Sequence, residues 1–233
     1  LAVYGAPGMG KSSLLRFLAA SQTRQKNGRD PSQAVIVSLN CTDINPFTSS
    51  AFWREVLNLL RDKVEEDAAL QATIDDTLKE PTIEKSDLRR VLRKIGGQNK
   101  YTVLLLDDYD ATLRPNEQYN EIEMLTFLSE FRNLAVHSNE GQYLSTIVTS
   151  FRRLNELGPR LTPSGSPWYN HYLFCALKPF ADTEAAVLFN RMPLQWTLTA
   201  NQRASVQEIA DGHPALMQNA CYLLYSTLRG GQT

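Results

Sequence analysis

Apolar positions recur along this chain with two periods, and the places where one gives way to the other outline a fold. Leu1–Tyr4 is a short apolar run, followed by a Gly-rich turn and then by Leu14, Leu15, Phe17 and Leu18 at helical spacing to about Ala20. Gln22–Gln33 is polar and carries the turn signals Asn27-Gly28 and Asp30-Pro31, after which Ala34–Cys41 returns to a β-branched strand. Trp53, Val56, Leu57, Leu60 and Val64 predict an amphipathic helix from about Ser50 to Asp67. Leu88, Val91, Leu92 and Ile95 predict a second, capped by Ser86 and stopped at Gly96-Gly97. Its other face holds Arg89, Arg90, Arg93 and Lys94, which reads as a solvated face.

Tyr101–Leu106 is a nearly unbroken apolar run ending in Asp107-Asp108, the pattern of a strand covered on both faces. Glu121–Val136 reads as a helix and Tyr143–Ser150 as a strand. Arg152–Trp168 reads as a loop broken by Pro159, Pro163, Gly165 and Pro167, and His171–Leu177 as a last strand. Beyond Lys178-Pro179 the texture changes. Asp182–Asn190, Ala200–Asp211 and Pro214–Leu228 all read as helices with no strand between them. Alternation of strands and helices followed by helices alone predicts an α/β domain over 1–177, with a five-stranded parallel sheet flanked by helices, and a small helical domain over 178–233.

Composition narrows the function classes. The 233 residues are 42% hydrophobic and 21% charged, enough for a buried core. Lys and Arg number 24 against 25 Asp and Glu, and a net charge of −1 argues against direct nucleic-acid binding by these residues. No apolar run approaches the ~20 residues that cross a bilayer, and no signal peptide is visible. Three widely spaced cysteines, Cys41, Cys175 and Cys221, sit among small or apolar neighbours and read as buried free thiols of a reducing, cytoplasmic compartment. The start at Leu1, directly in an apolar run, reads as a piece of a longer protein.

One motif dominates the chemistry. Gly5-Ala6-Pro7-Gly8-Met9-Gly10-Lys11-Ser12 fits G-x-x-x-x-G-K-[ST] at every fixed position, after a strand and at the start of a helix, with Ser13 next in line. Glycines let successive amides converge on phosphate oxygens, and the helix adds its positive end. Lys11 can then reach the outer phosphates and the Ser12 hydroxyl can ligate Mg²⁺. Asp107, ending the buried strand, supplies the second acid-bearing half of such a site. Asp108 reads either as the group that orients the attacking water or as a turn residue. The three histidines and three cysteines show no zinc spacing.

Taken together, these motifs resemble the additional-strand branch of P-loop ATPases that includes AAA+ proteins. The match is best to the signal-transduction ATPases with numerous domains (the STAND class), beside archaeal and origin-recognition-like ATPases. The resemblance implies a strand between the loop strand and the metal strand, ending in a polar γ-phosphate sensor. Thr149 or Ser150 fills that role here, with Arg152 as the basic residue that follows or as a plain loop charge. Leu177-Lys178-Pro179-Phe180, Glu184-Ala185 and Leu188 resemble the passage into the lid, and Gly212-His213-Pro214 resembles the G-x-P signature whose proline packs near adenine.

The resemblance further implies ATP·Mg²⁺ as ligand, a slow hydrolysis to ADP, and a switch role in a larger signalling or regulatory protein. The implied partners are further domains of the same polypeptide, a winged helix and sensor or effector regions, and a nucleotide-dependent oligomer. Two departures bear on this. The family's upstream Gly-Arg segment and its winged helix lie outside these residues. Asp108 stands where fast AAA+ hydrolases place Glu, and its shorter reach predicts slow turnover. No arginine finger is assignable. Two rivals stay open: a DNA-associated, origin-recognition-like ATPase, and a nucleotide-binding module without turnover.

Overall fold

A computed structural model describes residues 1–159, 167–191 and 198–230, with the backbone alone for the last three. The chain divides into two compact units, Leu1–Tyr4 with Ser12–Cys175, and Gly5–Lys11 with Ala176–Thr233.

The first unit is built on a parallel sheet. Its strands are β1 (Ala2–Tyr4), β2 (Ala34–Asn40), β3 (Tyr101–Asp107), β4 (Leu144–Ser150) and β5 (Phe174–Ala176), in the order β2-β3-β4-β1-β5. β4 thus lies between β1 and β3, with Val3 level with Thr149, and β2 runs beside β3 with Asn40 level with Asp107. This register brings the polar carboxyl ends of β2, β3 and β4 to one edge. β5 is shorter than the predicted His171–Leu177, since the residues before Phe174 form a turn.

Helices α1 (Lys11–Ala19), α2 (Ser21–Lys26), α3 (Ser49–Lys63), α4 (Ala68–Leu78), α5 (Lys85–Gly97) and α6 (Glu121–Arg132) accompany the sheet. The sequence predicts one helix to Asp67, but α3 ends at Lys63 and Asp67 begins α4, its carboxylate accepting the Leu70 amide at 2.9 Å. Leu70 and Ile74 bury the face of α4 that the polar surroundings mask in the sequence. α6 is shorter than predicted and continues as a wider π turn over Asn133–His137. The core is strongly aromatic: Phe52 and Phe127 rings lie 5.0 Å apart and Phe47 and Tyr119 rings 4.9 Å, in edge-to-face arrangements that add to their burial. Trp168 and Tyr172 are buried in this same core. The predicted loop over Arg152–Trp168 holds a 3₁₀ turn at Leu154–Glu156, and its Pro163 and Gly165 lie outside the described residues.

The basic face of α5 is largely exposed, as read from the sequence, and it also makes ion pairs. Arg89 and Arg93 both hold the carboxylate of Glu140, at 3.0 Å and 2.6 Å, while Arg90 pairs with Asp87. Glu140 is buried, and the Arg93 hydrogen bonds foremost hold its carboxyl down to about 2. Two of the four basic residues of this solvated face therefore also fasten α5 to the turn before β4. The cysteines differ from expectation: Cys41 is buried, Cys221 is half-buried and Cys175 is exposed.

The second unit holds the Gly5–Lys11 loop with α7 (Asp182–Asn190), α8 (Ala200–Ala210) and α9 (Pro214–Gly230). It has its own small core of Ala185, Phe189, Leu198, Val206, Ala210 and Met217. α8 ends on Asp211 in the left-handed region, followed by Gly212 at φ +70°. A Cβ on Gly212 would stand 2.2 Å from the Phe180 carbonyl oxygen, and the Phe180 amide donates to the Gly212 carbonyl at 2.8 Å. The turn that precedes Pro214 is thereby pinned.

Candidate nucleotide site

The loop between β1 and α1 is shaped by its glycines. Gly8 and Gly10 adopt φ +79° and +89°, conformations that a Cβ opposes. Lys11 is nearly buried, and its Nζ donates to the carbonyls of Gly5 at 2.8 Å and Ala6 at 3.2 Å, so the loop encircles the head of its own lysine. Ala6 also accepts the Met9 amide at 3.3 Å. α1 opens with Lys11, Ser12 and Ser13 and has no acid in its first turn, leaving the positive helix end open to an anion. The residues present therefore fit a phosphate chain. In the same unit Pro214 is the first residue of α9, and the Ala215 amide donates to the Gly8 carbonyl at 3.2 Å.

In the sheet unit, Asp107 ends β3 and Thr149 stands near the end of β4. The Thr149 hydroxyl donates to the Asp107 carboxylate and accepts the Asp108 amide at 3.0 Å. One buried hydroxyl thus ties both acids of the Asp107-Asp108 pair to the neighbouring strand. Asp108 itself takes the left-handed region at φ +47°, turning the chain sharply away from the strand. The other two sensor candidates are placed differently. The Ser150 hydroxyl donates to the Arg152 carbonyl at 2.6 Å, and the Arg152 guanidinium lies over the Phe151 ring at 5.6 Å. Neither contact involves Asp107.

A cavity of about 310 Å³ opens at this edge of the sheet, lined by Ser12, Arg16, Ser38, Asn40, Asp43 and Asp107 among others. Ser12 and Asp107, the two candidate metal ligands, share it. Ser38, Asn40 and Asp43 belong to no motif of the sequence. Their signal is positional: β2 neighbours β3, so its carboxyl end must lie beside Asp107, where parallel sheets bind ligands. Asn40 is spent locally, accepting from the Thr42 amide and hydroxyl at 3.1 Å and 2.8 Å. Burial, reinforced by Asp107, Asp108, Asp110 and Asp43, pushes the Cys41 thiol far above its ordinary value, which marks this corner as negative. Among the described residues no three His, Cys, Asp or Glu side chains are grouped to hold a metal. Mg²⁺ takes one or two protein oxygens and fills its sphere with water and phosphate, so a hydroxyl and a carboxylate in one cavity fit that ion.

A family model described as an AAA ATPase domain matches residues 1–136, which include the loop, Asp107 and Asp108. The chain belongs to the AAA ATPase domain family. Solved structures agree with this at the level of fold. The domain is similar to the Walker-type ATPase of Pyrococcus abyssi (15% identity, 99% of this chain and 69% of that one, TM-score 0.56). It is also similar to the ORC2 protein of Aeropyrum pernix in ADPNP and ADP complexes (12%, 95% and 61%, TM-score 0.56). A third likeness is to Drosophila ORC bound to DNA (11%, 100% and 51%, TM-score 0.60). The domain spans about half to two thirds of the length of these proteins. No curated protein matches it. No helix among the described residues is long and apolar enough to cross a membrane.

Proposed function

We propose that this AAA ATPase domain is a slow, Mg²⁺-dependent ATPase whose nucleotide state switches a larger signalling or regulatory protein of the STAND class. The observation that carries the proposal is the loop itself. Lys11 is folded onto the Gly5 and Ala6 carbonyls at an acid-free helix start, with Gly8 and Gly10 in conformations that free their amides for an anion. In this reading the Gly5–Ser13 segment cradles the phosphates of ATP, and Lys11 offsets charge on the outer ones. Ser12 and Asp107 would hold Mg²⁺, which would supply charge neutralisation to the phosphates. Thr149 orients Asp107 through its hydroxyl and senses the γ-phosphate at the same strand end. Asp108 positions the water for in-line attack, and its short side chain keeps turnover slow.

Two things support a switch role. The phosphate loop and α7–α9 form one compact unit, and the first turn of α9 bonds to the loop, so occupancy of the loop is felt by the helices. Pro214 opens α9 at that turn, and the resemblance implies that this proline packs near adenine. Single-turnover hydrolysis of ATP by wild type and Asp108→Ala tests the enzyme part. The expected result is slow wild-type turnover that falls by roughly 10–100-fold in the variant. ATP left intact for hours by both proteins would reduce the domain to a binding module.

The likeness to ORC structures, one of them on DNA, favours a second reading as a DNA-associated ATPase. The net charge of −1 leaves DNA contact to other parts of the polypeptide. DNA affinity of the entire polypeptide that falls steeply with salt would establish this second reading.

A further inference from the structure

His213 belongs to no catalytic assignment, yet its ring lies on the phosphate loop. Its Nε2 is 3.1 Å from the Pro7 carbonyl oxygen, and its Nδ1 is 3.4 Å from the Leu216 amide nitrogen. A carbonyl only accepts and an amide N–H only donates, so Nε2 carries the hydrogen and Nδ1 is bare. In this arrangement the Nε2–H points at the Pro7 carbonyl and Nδ1 faces the Leu216 amide. A Cβ on Gly8 would stand 2.7 Å from His213 Cε1 and 2.8 Å from Ala215 Cβ, so glycine is needed there for this approach as well as for its positive φ. Two consecutive loop carbonyls are therefore taken by the Gly212–Ala215 turn: Pro7 by the His213 ring and Gly8 by the Ala215 amide.

Peptide planarity gives these contacts a consequence. In a trans peptide the C=O and N–H point to opposite sides. Holding the Pro7 carbonyl toward the His213 turn points the Gly8 N–H the opposite way, away from that turn. Pro7 has no N–H of its own, so Gly8 is the first amide after Ala6 that the loop can offer. We propose that His213 is a positioning residue for nucleotide binding, which sets the direction of the Gly8 amide through the Pro7 carbonyl and so makes the phosphate grip depend on the lid turn. This rests on the reading of the loop as a nucleotide site. His213 touches no phosphate in it and acts only through the peptide plane.

The experiment is a calorimetric titration of the whole chain with Mg·ADP, comparing wild type, Lys11→Ala, His213→Ala and His213→Gln. It is joined to ¹⁵N NMR of the histidine rings in the nucleotide-free wild type. One lost hydrogen bond corresponds to binding weaker by about threefold to tenfold in His213→Ala. His213→Gln, whose amide N–H reaches the same carbonyl, returns the affinity to about the wild-type value. The NMR signature expected for His213 is a hydrogen on Nε2 and none on Nδ1. Wild-type affinity in His213→Ala, with binding lost in Lys11→Ala, overturns the inference and leaves the nucleotide site standing. Absence of binding by wild type removes the site and the inference with it. Should His213→Ala fail to fold, His213→Gln and the wild-type spectrum decide: weakened binding in the glutamine variant, or an Nδ1–H ring, overturns the proposal.

Discussion

The Gly5–Lys11 loop of one unit and the carboxyl edge of the sheet in the other are each held together internally by different kinds of contact. Around Gly5–Lys11 the acceptors are main-chain atoms: the carbonyls of Gly5, Ala6, Pro7 and Gly8 accept from the Lys11 side chain, the Met9 amide, the His213 ring and the Ala215 amide. At the carboxyl edge of the sheet they are made by side chains, with the Thr149 hydroxyl bonded to the Asp107 carboxylate. A main-chain grip is set by backbone conformation, so it tolerates varied side chains but only glycine at the positive-φ positions. A side-chain grip is set by strand register, so a single changed atom alters it while the backbone stays in place. Binding is expected to reside in the first region and turnover in the second.

Four substitutions and one control break or sharpen this contrast. Lys11→Ala has the largest expected effect: loss of two hydrogen bonds from a charged donor, and of the charge itself, weakens ATP binding by roughly 100-fold or more in calorimetry. Circular dichroism of that variant is expected to show a retained fold, and undiminished affinity would remove the nucleotide site. Gly8→Ala comes next. With φ +79° and atoms at 2.7 and 2.8 Å in the way of a Cβ, the loop must shift, and nucleotide affinity is expected to fall by roughly tenfold or more.

Thr149→Val tests the other region. It keeps the shape but removes the bonds to Asp107 and Asp108, and it is expected to lower single-turnover hydrolysis by roughly tenfold while affinity for ADP changes little. An equal loss in binding and turnover would erase the distinction between the two regions. Ser150→Ala, whose hydroxyl serves the Arg152 carbonyl, is the natural control.

Glu140→Gln has the smallest effect on the site and acts on stability alone. It weakens the hold on Arg89 and Arg93 and is expected to cost about 1–3 kcal/mol in denaturant unfolding, with nucleotide affinity unchanged. The pH dependence has a definite sign. The folded carboxyl is held at about 2, below its ordinary value of 4.5, so its contribution is present above about 4.5 and is lost as pH falls toward 2. Wild type and Glu140→Gln should therefore converge in stability in acid. A gap that persists at pH 2 would assign the effect to packing.

Much of this was legible from local pattern. The spacing of Leu88, Val91, Leu92 and Ile95 located α5 to within two residues at each end, and the G-x-x-x-x-G-K-S string located the loop. Where neighbouring patterns merged, the reading ran too far, as at Asp67, which ends no helix but caps the next one. The role of the α5 basic face was illegible for a different reason. Its partner Glu140 lies 51 residues from Arg89 and 47 from Arg93, and no local period encodes such a pairing.

By itself the sequence determined the five strands and most of the helices, though not α2 or α4, and the position of the Gly-rich loop, because each of these depends on a few consecutive residues. Only the tertiary structure decided that Thr149 rather than Ser150 faces Asp107, that Asn40 and Asp43 stand at the same edge, and that His213 reaches Pro7 across 206 positions of chain. Those choices depend on strand order, register and the path of a turn. They arise from the packing of the whole chain, to which hydrophobic burial contributes without direction and hydrogen bonds contribute only once the groups have met.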